Sequence, residues 1–132
     1  MTQTPNVFIS YSARDEGTAR ATARALHKAG VEVWTPAEIT PGDKFKDTLW
    51  QKLEQADIVV LLITADFVRS PSNASEFGAS LALKKRILTV VVGNVPDDQI
   101  LFSRKRGTVL HVDSKAEVPK KVAEFLQTAA AA

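Results

Sequence analysis

Cysteine is absent from this chain of 132 residues. Disulfides, thiol nucleophiles and thiolate metal sites are therefore excluded. Charge of one sign is nearly absent as well. Lys and Arg number 17 against 15 Asp and Glu, a net charge of +2, too small to imply a nucleic-acid partner. The pI near 9.0 expresses the same slight surplus. Long apolar runs are missing: nothing approaches the roughly 20 residues that a membrane helix needs. Met1 to Asn6 is polar and Val7 opens only a short apolar run, so no signal peptide is visible. Together these absences point to a soluble, cytoplasmic protein with no membrane partner. There is also no GxGxxG, no P-loop and no GxSxG. No internal repeat, low-complexity linker or second domain interrupts the chain.

What is present is alternation. The length favours one domain, and 45% hydrophobic residues suffice for a core. Val7 to Ser10 is apolar and β-prone, a first strand buried on both faces. Ser12 and Asp15 form a capping-box-like pair before a helix with Ala19, Thr22, Ala23, Leu26 and Ala29 on one stripe. Gly30 ends it. Val31 to Trp34 is a second strand. Thr35 to Asp43 is a long loop holding Pro36, Pro41 and Gly42. A second helix starts near Asp43 or Lys44, with Phe45, Leu49, Leu53 and Ala56 inward. Ile58 to Ile63 is the third strand, and a helix over 74–84 follows a polar loop. Ile87 to Val92 is the fourth strand. Residues 93–107 are mostly loop, with a short helix around 97–102. Thr108 to Val112 is the fifth strand. Ser114 and Glu117 form another capping box, before a last helix carrying Val118, Val122, Phe125, Leu126 and Ala129. Pro119 is tolerated in its first turn.

Near-continuously apolar strands alternating with helices predict an α/β fold, a parallel sheet covered on both faces. For five such units the expected architecture is the three-layer, flavodoxin-like doubly wound sheet of order 2-1-3-4-5. In such sheets ligands sit beyond the carboxyl ends of the strands. Four segments converge there: 10–14, 34–44, 64–76 and 93–96.

Within these segments Glu76 is the acid of the loop-to-helix junction after the central strand. Asn73-Ala-Ser-Glu76 is itself a capping-box pattern, so spacing allows a helix cap, a reactive carboxylate or both. Trp34 ends a strand and faces either core or ligand. The 35–43 loop is long for a βα connection, where about 2–6 residues are usual, and such loops are commonly functional. A phosphoacceptor reading fails, because the ends of the first and third strands hold Ser10-Tyr11 and Ile63-Thr64 rather than acids. His27 lies mid-helix and His111 on a strand, with no clustered acids beside them, so no metal site is expected. Lys84-Lys85-Arg86 and Arg104-Lys105-Arg106 read as solvated basic faces able to meet an acidic partner.

Several of these stretches resemble one family. Val7-Phe8-Ile9-Ser10-Tyr11-Ser12 resembles the first box of TIR (Toll/interleukin-1 receptor) domains. Gly30-Val-Glu-Val-Trp34 with Ile39-Thr-Pro-Gly42-Asp43 looks like their second strand and BB loop. Ala56-Asp57, the apolar run and Ser70-Pro71 look like the third strand and its exit. Glu76, Lys85-Arg86 and the strand from Ile87 complete the pattern. The resemblance is closest to bacterial TIR proteins and implies one domain over 6–128, with 1–5 and 129–132 as flexible termini.

The resemblance implies an NAD⁺ glycohydrolase or cyclase. Many such domains cleave the nicotinamide–ribose bond to give nicotinamide and ADP-ribose or a cyclic isomer, in antiphage immune signalling. Glu76 matches their catalytic glutamate. By the same resemblance Tyr11, Ser12 and Arg14 border the ribose and phosphates, Trp34 stacks near the nicotinamide, and Lys44 flanks the site. Ser72 stands where the family often has a tryptophan, and Pro36 where it often has an aspartate. NAD⁺ enters as substrate, with no cofactor and no metal. Partners implied are other TIR domains or further copies of this chain, through the 35–43 loop. The alternative is a non-catalytic TIR scaffold. A nucleoside deoxyribosyltransferase relative, also using a glutamate on a ribose, is a third possibility.

Overall fold

The computed structural model describes residues 6–35, 45–65, 85–95 and 107–131. Its strands are β1 (Asn6–Ser10), β2 (Glu32–Trp34), β3 (Ile58–Ile63), β4 (Arg86–Val92) and β5 (Gly107–Val112). Its α-helices are α1 (Glu16–Lys28), α2 (Phe45–Gln55) and α3 (Val118–Ala131). Short 3-10 turns, Ala13–Asp15 and Lys115–Glu117, lead into α1 and α3. The helix expected over 74–84 and the short one around 97–102 lie outside the described residues.

The five strands form one parallel sheet of order β2-β1-β3-β4-β5, as the alternating pattern predicts. Side chains alternate across a strand, so each strand feeds both faces. Val7, Ile9, Val60, Leu62 and Val90 join Ala19, Leu26, Val122 and Leu126 in one core cluster, beneath α1 and α3. Phe8, Val59, Leu61, Ile63 and Val91 join Leu53 and Ala56 in a second, beneath α2. Central β3 is buried along its whole length, which is why its sequence reads as an unbroken apolar run rather than an alternation.

The small residues of α1 act as expected. Ala19, Thr22, Ala23 and Leu26 are buried, and α1 packs beside α3. Gly30 stops α1 with φ 84°, a left-handed conformation that suits glycine. Gly30 N donates to His27 O at 3.0 Å and Val31 N to Leu26 O at 2.9 Å. These are the two bonds of a Schellman cap, and Leu26 and Val31 share the core cluster beneath it.

The capping boxes form differently from the expectation. Asp15 sits at the N-cap of α1 without a side-chain cap bond, because its carboxylate is engaged elsewhere. Ser114 likewise makes no side-chain cap bond. Glu117 instead accepts from the Asp113 N–H at 3.0 Å, one residue earlier than the usual reciprocal bond. Both polar pairs still mark helix starts, since each precedes a helix by a single turn.

Candidate functional site

The strands point their carboxyl ends to one edge, and register sets how far each reaches. Ser10 lies level with Leu61, Thr89 and Val109. Ile63 lies level with Val91 and His111, above them. β3 and β4 therefore project beyond β1, and the turn that leaves β1 folds against the exit of β3.

That turn carries three of the expected site residues. Tyr11 is half-buried against the first core cluster. Ser12 is half-buried, and its carbonyl accepts the Asp15 N–H at 2.8 Å, closing the 3-10 turn. Arg14 is exposed on that turn. The structure thus brings Tyr11, Ser12 and Arg14 together at the carboxyl edge.

Trp34 lies apart from them. It pairs with Phe8, two positions before the end of β1. Its half-buried ring packs on the second core cluster, and the Lys52 ammonium of α2 stands 3.7 Å from the ring centroid. Such a contact satisfies the electron-rich face of an indole. Of the two orientations open to Trp34, the structure places the ring against the α2 layer of the core. Lys44, Ser72, Glu76 and all of the 35–43 loop except Thr35 lie outside the described residues. Thr35 itself is buried.

The best-defined polar cluster at this edge joins residues that the sequence presents only as a cap and connecting chain. Asp15 is 1% exposed. Thr64, the residue after β3, donates its hydroxyl to Asp15 Oδ2 at 2.6 Å. Lys115, beyond β5, brings Nζ to 2.7 Å from Asp15 Oδ1, with the Asp15 side chain fully buried and that of Lys115 half-exposed. The Lys115 contact is a charge pair whose alignment falls outside hydrogen-bond geometry. A buried carboxylate needs such partners, since an ion taken out of water unpaired is strongly disfavoured. A signal for Thr64 existed in the sequence. It continues the even-numbered phase of Ile58, Val60 and Leu62, which faces α1 and α3, so its hydroxyl had to find a polar group there. Nothing in the local pattern of 115 pointed to its partner.

The remaining candidates sit elsewhere. His27 and His111 are exposed. Among the described residues no group of His, Cys, Asp or Glu could hold a metal ion. Lys85 and Arg86 lie at the opposite, amino edge of the sheet, where they border a groove of about 240 Å³ walled by Ile58 and Phe125. Lys85 Nζ donates to the Glu54 carbonyl at 2.6 Å. No described helix is long and apolar enough to cross a membrane.

Solved structures share this arrangement. A metazoan TIR-STING receptor from C. gigas, in complex with 2',3'-cGAMP, matches with a TM-score of 0.74 at 18% identity. The match covers 96% of this chain and 40% of the receptor, so the chain spans less than half of that protein. The TIR domain of a Toll-related receptor from Hydra magnipapillata matches with a TM-score of 0.68 at 18% identity, over 94% of this chain and 99% of that one. A CMP N-glycosidase from Clostridium botulinum matches with a TM-score of 0.65 at 12% identity, over 89% of this chain and 97% of that one. These likenesses are of fold. No curated protein sequence shows a significant match. The sequence model of the TIR domain family matches residues 7–127, nearly the whole chain, with the boxes, strand order and carboxyl-edge turn described above; this protein belongs to the TIR domain family.

Proposed function

We propose that this TIR domain cleaves NAD⁺ at the nicotinamide–ribose bond, with Glu76 as its catalytic residue. The observation that carries the reading is topological. Glu76 belongs to the segment that leaves β3, the central strand, at the edge where β1 presents Tyr11, Ser12 and Arg14. Parallel α/β sheets bind ligands at that edge.

The chemistry suits a lone carboxylate. When the glycosidic bond breaks, its electron pair moves to the pyridine nitrogen and cancels the positive charge there. Nicotinamide therefore departs neutral, without a general acid. The ribose becomes oxocarbenium-like, and a carboxylate beside it stabilises that charge as in glycosidases. Water then adds to the anomeric carbon and loses a proton, giving ADP-ribose. Attack by another atom of the same ADP-ribosyl group, with loss of its proton where it carries one, gives a cyclic product instead. Tyr11, Ser12 and Arg14 border the ribose and phosphates, Trp34 the nicotinamide, and Lys44 and Ser72 the flanks. No metal or resident cofactor takes part. The similarity in fold to a CMP N-glycosidase supports the reading, because that protein's name also describes cleavage of a base from a ribose.

The setting we propose is bacterial, cytoplasmic antiphage signalling through an ADP-ribose product. Assembly of copies, or of this chain with other TIR domains, runs through the 35–43 loop. A scaffold without catalysis is the second reading, favoured by Ser72 and Pro36 at places where the family often has tryptophan and aspartate. Glu76→Gln separates the two. It keeps hydrogen-bonding capacity while removing charge, so under our reading it abolishes nicotinamide release with the melting temperature nearly unchanged. Turnover equal to the parent's would refute the assignment of Glu76.

A further inference from the structure

We propose that Asp15 is a positioning residue of this site, and that it holds the β1 exit in register with the β3 exit through Thr64 and Lys115. The proposal rests on the NAD⁺-cleaving reading for its kinetic consequence and on geometry for the rest.

Asp15 is buried at the carboxyl edge, where α1 begins. A buried aspartate at a helix start would ordinarily cap that helix, and this one makes no cap bond. Its two oxygens go instead to other segments. Oδ2 accepts from Thr64 Oγ1 at 2.6 Å, and Oδ1 pairs with Lys115 Nζ at 2.7 Å. One carboxylate thus ties together the exits of β1, β3 and β5. Its backbone N–H also closes the turn on Ser12, so a shift of Asp15 carries Ser12 and Arg14 with it. Thr64 is the root of the segment that runs on to Glu76 in sequence. The turn that carries Ser12 and Arg14 and the residue that ends β3 are therefore both tied to one buried carboxylate. Asp15 lies beneath the surface and touches no substrate; it acts through the turn and through Thr64.

Asn in its place retains an oxygen to accept from Thr64 but loses the charge that Lys115 meets. The test compares the parent, Asp15→Asn and Lys115→Met in nicotinamide release and in the amide resonances of Ser12, Arg14 and Ala65. For Asp15→Asn we expect displaced resonances and a fall in kcat/KM of about tenfold or more, carried mainly by KM. Lys115→Met repeats the pattern more weakly. A lowered Tm with unchanged KM, kcat and resonances would overturn the proposal, since a merely structural residue gives that result. If the parent neither binds nor cleaves NAD⁺, the enzymatic reading fails on its own. The brace then stands if Asp15→Asn displaces the three resonances and falls if it does not. Should Asp15→Asn fail to fold, Thr64→Val removes the hydroxyl that donates to Asp15 and is read in the same way.

Discussion

The hydroxyl of Thr64 donates to the buried carboxylate of Asp15 across 2.6 Å, although 49 residues separate them in the chain. A bond to a buried charge contributes more than one between neutral groups. Thr64→Val keeps the shape and leaves Asp15 short of a donor. The expected loss of stability is about 1.5–3 kcal/mol, measured by urea denaturation with the slope unchanged.

The central strand makes a second prediction. Leu61 is 1% exposed between β1 and β4, in the core cluster under α2. Truncation leaves a cavity that the rigid sheet cannot close. Leu61→Ala should destabilise the domain by about 2–5 kcal/mol. On the edge strand, Glu32 is exposed, and Glu32→Ala should fall within about 0.5 kcal/mol of the parent. Thermal and chemical melts of both variants check the contrast.

Gly30 isolates backbone strain from packing. Nothing lies within 4 Å of where its Cβ would be, yet its φ is +84°. Gly30→Ala therefore meets no clash, and its whole effect is the cost of a left-handed residue, about 1–2 kcal/mol. A melt reads the loss, and a spectrum showing intact core resonances confirms that packing is untouched.

Metal removal tests the proposed chemistry from another side. A carboxylate that stabilises an oxocarbenium-like ribose, with nicotinamide leaving neutral, requires no Lewis acid. Nicotinamide release should be unchanged after dialysis against EDTA. Loss of activity that a divalent cation restores would contradict the mechanism.

The fold was legible because its strongest signal is also its strongest energy. Fully buried parallel strands must be apolar throughout, so Ile58 to Ile63 and Ile87 to Val92 announced themselves. The stop at Gly30 was legible because left-handed backbone so favours glycine. The candidate site was read in a different way. Its residues Tyr11, Ser12 and Arg14 were named through the family resemblance, and the structure puts the turn that carries them at the carboxyl edge of the sheet. Trp34 was ambiguous, since the length of an edge strand depends on pairing that no local pattern encodes. Register leaves it level with Phe8, under Lys52. Asp15 was read as a helix cap because local spacing sees only neighbours. Its true partners, Thr64 and Lys115, are brought to it by sheet order; the phase of β3 left a trace of Thr64, whereas the long-range ion pair with Lys115 carries none.

The central claim is catalysis by Glu76, and nicotinamide release from NAD⁺ tests it most directly. The measurement runs the parent and Glu76→Gln over a wide range of protein concentration. The account predicts release by the parent that climbs steeply with concentration, as neighbouring copies complete the site, and none by Glu76→Gln. Release that is independent of Glu76, or a parent that neither binds nor cleaves NAD⁺ at any concentration, would contradict it.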